Sequence, residues 1–66
     1  MNWQKIIQKM NEEETNFVEL TWSDDDWAAW TSGDLTDDQE DMIAAAEAAG
    51  LTPMPGALSP DTVSFS

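Results

Sequence analysis

The chain has 66 residues, with fourteen Asp and Glu against two Lys, no Arg and no His, and a net charge of −12 at pH 7. That balance excludes direct nucleic-acid binding, which draws on Lys and Arg to meet phosphates, and sets the chain against an anionic membrane surface. With no cysteine, it has neither a disulfide framework nor a thiolate metal site.

One domain, residues 1–66, is the expectation. A chain this short buries only about 60% of the surface its unfolded form exposes, so large anchors matter. Trp3, Trp22, Trp27, Trp30, Phe17 and Phe65 supply them. High net charge belongs to the signature of disorder, but a 41% hydrophobic content with four Trp argues for a folded chain. The first ten residues are too polar for a signal-peptide core. No apolar run approaches a membrane span, and the expected location is cytoplasmic.

The spacing of Trp3, Ile6, Ile7 and Met10 predicts a helix over about residues 2–13 with one apolar face. Glu12, Glu13 and Glu14 close it, where acids oppose the helix dipole; a Lys9–Glu13 pair at i,i+4 offsets little of that. Phe17–Trp22 reads as a short strand with Val18, Leu20 and Trp22 on one face. Ser23 reads as a helix N-cap with Asp26 three residues on, and Trp22 and Trp27 have the spacing of a hydrophobic staple. A short helix over 24–31 follows, ended by Gly33. Thr36 caps the next helix, with Gln39 completing the box, and Asp37–Ala49 runs to Gly50. On it Met42, Ile43, Ala46 and Ala49 share one side, while Asp37, Asp38, Glu40, Asp41 and Glu47 fill the opposite arc.

After Gly50, residues 51–60 carry all three prolines and read as an irregular segment, with Leu51, Met54 and Leu58 turned to the core. Thr62–Ser66 alternates and is expected to pair with the strand at Phe17–Trp22. Two strands alone are marginal in water and must lie on the helices. The expected fold class is α+β: three short helices with a two-stranded antiparallel ribbon.

Five of the acids follow from helix electrostatics, since Asp24, Asp25, Asp26, Asp37 and Asp38 all fall in first turns. Glu12–Glu14, Asp34, Asp41, Glu47 and Asp61 do not, and neither does the scarcity of cations, because an ordinary soluble surface mixes both signs. Asp24–Asp26 lacks the alternate spacing and sixth-position glycine of a calcium loop, and Asp34–Asp41 fails the same test. No metal site and no cofactor are expected. Nor is catalysis, which would need a carboxylate shifted by burial or by a close neighbour. Trp3, Trp22 and Trp27 read as core, and Trp30 is open to either a core or a surface role.

In size, charge and lack of catalytic residues the chain resembles the small acidic inhibitors made by bacteriophages, the anti-restriction and anti-CRISPR proteins of the DNA-mimic type. The resemblance implies a partner that is a basic DNA-binding protein or nucleoprotein complex of a bacterial host, met by a monomer or weak dimer. The contact residues it implies are Glu12, Glu13, Glu14, Asp24, Asp25, Asp26, Asp37, Asp38, Glu40, Asp41 and Glu47. A second reading is a protein–protein adaptor or antitoxin-like regulator that docks through an apolar face including Met10, Met54 and Trp30. A halophilic source would account for a generally acidic surface without any partner.

Overall fold

The computed structural model describes all residues, Met1–Ser66. The fold is α+β: α1 (Trp3–Glu12), β1 (Phe17–Glu19), α2 (Asp24–Ser32), α3 (Asp37–Ala48), β2 (Pro53–Pro55) and β3 (Thr62–Phe65). The strands form one antiparallel sheet in the order β1-β3-β2. The expected two-stranded ribbon is thus one strand short, and the missing strand lies inside the segment expected to be irregular. No helix is long and apolar enough to cross a membrane.

Each helix begins and ends where local chemistry directs. Asn2 caps α1, its side chain accepting from the Lys5 amide at 3.2 Å. Ser23 and Asp26 form a reciprocal capping box at α2, as do Thr36 and Gln39 at α3; each box satisfies amides that the helix leaves unpaired. Gly33 ends α2 at φ 83°. At the end of α3, Gly50 donates to the Glu47 carbonyl and Leu51 to that of Ala46, with Gly50 at φ 74°. This is the paired bonding of a Schellman motif. The turn after α1 bonds identically, Glu14 to the Asn11 carbonyl and Thr15 to that of Met10. There Glu14 takes the left-handed position at φ 58° that glycine fills most cheaply.

The core lies between α1, α3 and the inner face of the sheet: Trp3, Ile7, Met10, Leu20, Met42, Ala46, Val63 and Phe65. Trp3 and Phe65 meet at 6.5 Å between ring centroids, and their burial supplies much of the core's apolar area. Val18 and Leu20 share the inward face of the β1 segment, with Leu20 buried and Val18 half-buried, as the alternation requires. Trp22, Trp27 and Trp30 pack together at its margin: Trp22 lies 4.8 Å from Trp27, edge to face, and 5.7 Å from Trp30. The staple therefore forms and Trp30 joins it, although all three rings remain half-buried.

Several side chains depart from expectation. Met10 is buried and unavailable to an adaptor surface, whereas Met54 and Leu58 are exposed and do not cover the core. Ala49 is exposed, because α3 ends at Ala48 and the chain turns away. Lys9 and Glu13 form no ion pair; the one ion pair in the molecule joins the Met1 amine to Asp38.

Candidate functional site: an acidic interface

α1 and α3 lie side by side in the same direction. Asn2 and Gln4 line a shallow groove with Asp41, Ala44, Ala45 and Ala48, while Gln8 and Asn11 meet Ala48 and Ala49 further along. The acids consequently divide between two ends of a body measuring 31 × 22 × 18 Å.

At one end stand the N-termini of α2 and α3. The residue that joins them is Gln39, whose solvent exposure is zero. Its Oε1 accepts from the Thr36 amide at 3.0 Å, closing the cap of α3. Its Nε2 donates to the Asp26 carbonyl of α2 at 2.7 Å. A burial this complete is tolerable because both ends of the amide are bonded. It brings together two acidic clusters that are separate in sequence, Asp24–Asp26 and Asp37–Asp41. Asp24, Asp25, Asp37, Glu40 and Asp41 are exposed there. Asp26 is half-buried and engaged, its carboxylate accepting from the Ser23 amide at 3.0 Å.

Asp38 is engaged as well. Its Oδ1 accepts from the Met1 amine at 2.8 Å. That hydrogen bond and then the charge of Asp38 hold the amine above its ordinary value of 8.0 against the opposing effect of desolvation, with Asp41 adding a weaker push upward.

Glu12, Glu13 and Glu14 occupy the other end, at the C-terminus of α1, and all three are exposed. Glu47 is exposed near the C-terminus of α3. The eleven expected contact residues therefore do not form one patch: the structure unites the α2 and α3 clusters and holds Glu12–Glu14 a helix length away, about 15 Å. The two ends also differ in field. Helix N-termini carry about half a positive charge each, which offsets the acids around them; at the C-terminus of α1 the dipole adds to Glu12–Glu14.

Neither Lys5 nor Lys9 neutralises any carboxylate by direct pairing, and every carboxylate but Asp38 lacks a cation partner. No group of three or more carboxylates converges in the manner of a metal-ligand set. Sequence reasoning missed two participants. Gln39 read only as a capping residue, since the spacing of a capping box says nothing about burial. Glu19 was passed over as a strand residue, yet it is exposed on β1, beside the α1 end. No protein family, curated protein or solved structure matches this chain.

Proposed function

We propose that the protein is an acidic binding protein that occupies the basic nucleic-acid-binding surface of a protein partner. It acts as a DNA mimic of the anti-CRISPR or anti-restriction kind, without catalysis, in the cytoplasm of a bacterial host. The observation that carries this reading is the lack of internal neutralisation: of all the carboxylates only Asp38 has a cation partner, and that cation is the chain's own amine. Double-stranded DNA displays one negative charge per about 1.7 Å of axis. A compact body whose acids project freely is drawn by the same field to a site built for phosphates. The joined α2 and α3 N-termini, with Asp24, Asp25, Asp37, Glu40 and Asp41, are the main contact face; Glu12–Glu14 and Glu47 extend the negative surface beyond it.

The test is capture from a bacterial lysate on immobilised protein, followed by competition with duplex DNA and by a salt gradient. The proposal expects nucleic-acid-binding enzymes that duplex DNA displaces and moderate salt releases. Replacing Asp37, Asp38, Asp41 and Glu47 by Asn or Gln abolishes capture while the circular dichroism spectrum is retained. Captured proteins that resist both DNA and salt overturn the proposal, as does an unchanged yield with the substituted protein.

One observation favours the adaptor reading. Phe17 and Met54 are exposed and both stand opposite Ser64 in the strand register, so the uncovered sheet face carries two apolar side chains in one row. An adaptor complex held there persists in high salt.

A further inference from the structure

The register of the sheet determines which backbone groups point outward. On the β1 side the Phe65 amide donates to the Asn16 carbonyl and the Leu20 amide to the Asp61 carbonyl, and Val18 stands opposite Val63. Residues bonded across an antiparallel ladder alternate with residues that are not. Asn16, Val18 and Leu20 therefore face β3, and the N–H and C=O groups of Phe17 and Glu19 face the free edge. The same alternation on the other side has a different outcome. Thr52 and Ser66 exchange both bonds, and the Gly56 amide donates to the Thr62 carbonyl, so Thr52, Met54 and Gly56 face β3. The outward positions of β2 are Pro53 and Pro55, which have no N–H to offer. Proline at outward positions is a known means of closing a sheet edge. β2 is closed in this way and β1 is not.

Beside the open edge lies a groove of about 450 Å³ between β1 and α1, with Ile6, Phe17 and Val18 as its accessible apolar lining, the almost fully buried Met10 behind them, and Lys9, Glu13 and Glu19 at its polar positions. Glu12 and Glu14 flank Glu13 in the chain, and the α1 dipole ends here with its negative pole.

We propose that this edge and groove accept an extended, Lys- or Arg-bearing segment of a protein partner as a fourth strand of the sheet. Main-chain bonds to Phe17 and Glu19 supply register. Apolar side chains of the segment enter the groove, and its cations meet Glu13 and Glu19. This is strand addition at a free edge, in which backbone pairing gives affinity and alternate side chains give specificity. Charge selects the occupant. A second copy of this chain brings a further −12 to an edge already rimmed by glutamates, whereas a cationic strand is attracted to it. The charge of the occupant rests on the reading of a basic partner given above; the location rests on the register alone.

The probe is a short peptide of alternating lysine and valine, titrated into the full-length ¹⁵N-labelled protein. A second peptide of identical sequence is N-methylated at every backbone amide, which preserves its charge and removes the donors of both of its edges. The expected result is shifts at the Phe17 and Glu19 amides and along the groove at Ile6 and Met10, with binding weakened about tenfold or more by N-methylation, as for the loss of two hydrogen bonds. Phe17→Pro, which removes an outward N–H as Pro53 does at the other edge, weakens the unmodified peptide similarly; its spectrum reports whether the fold is intact. The N-methylated peptide keeps the test decisive if that variant does not fold.

Equal binding of both peptides, with shifts confined to Asp24–Asp26 and Asp37–Asp41, overturns the strand-addition proposal and leaves the acidic-surface reading standing. Absence of binding overturns it too. So does protection of the Phe17 and Glu19 amides in the free protein that grows with concentration, which would show a second copy in place. Shifts at the edge that N-methylation of the peptide weakens, in a protein that captures no nucleic-acid enzyme, uphold the strand site and overturn the mimic.

Discussion

β1 and β2 flank the same central strand, each is three residues long, and they present opposite chemistry to solvent. β2 turns two prolines outward and withholds both donors; β1 turns outward the complete backbone of Phe17 and Glu19. β1 also borders a groove with an apolar lining. The difference shows that a sheet edge is set by register as much as by composition. Pro53 and Pro55 are compatible with a strand only because the ladder places them at its unbonded positions; a shift of one residue would turn both into missing bonds against β3. The chain has thus closed one edge and left the other able to pair.

The largest expected effect comes from removing what both edges share. Phe65 is 1% exposed and packs on Trp3; Phe65→Ala costs about 3–5 kcal/mol. Total stability in small domains is itself only about 5–15 kcal/mol. Urea titration followed by Trp fluorescence should show the midpoint falling toward zero denaturant, with amide protection lost on β1 and β2 together. Loss on one side alone would mean that the two edges fold independently.

Next is the double replacement Pro53→Val with Pro55→Val, which restores the outward donors of β2. Stability should change by no more than about 1 kcal/mol, while sedimentation velocity should show weight-average mass rising with concentration more steeply than in the parent. An unchanged mass would mean that net charge, not proline, keeps that edge apart.

Glu14→Gly acts on the turn that delivers the chain to β1. Relief of the left-handed Glu14 should stabilise by about 0.5–1 kcal/mol, which in a domain of this size raises Tm by roughly 4–8 °C per kcal/mol. A lower Tm would show that the glutamate side chain holds the turn by contacts that outweigh the backbone.

The smallest effect lies at the far end of α1. Because the folded Met1 amine is held above 8.0, its contribution is fully present below that value and is lost as pH rises through the folded pKa. Tm should therefore decline slightly on the alkaline side of pH 8, and Asp38→Asn should flatten that decline. Equal slopes in both proteins would remove the ion pair as its cause.

Much of this molecule was legible because its signals are local. The two capping boxes, the Trp22–Trp27 staple and the glycine stops each depend on residues within a few positions of one another, and all formed as spaced. The β2 strand was hidden because proline opposes strands in general. The i,i+2 spacing of Pro53 and Pro55 is nevertheless the strand period, the one signal from which a closed edge was readable. Met54 and Leu58 were expected inward as apolar residues in a short chain; pairing of β2 with β3 turned Met54 outward opposite Ser64.

The acidity was written in composition, as was its partial explanation by helix starts. Whether the acids stood together was not, because that depends on contacts between residues distant in the chain. Gln39 bonds to Asp26 across thirteen positions and merges two clusters. The parallel run of α1 beside α3 separates Glu12–Glu14 from them. Local propensity and capping fix where elements begin and end over distances of one turn. Which groups meet, which edge is left unpaired and which carboxylates share a field are settled only when burial of Trp3, Met42, Val63 and Phe65 brings the elements into one core, since that burial, acting across the whole chain, selects a single arrangement of them.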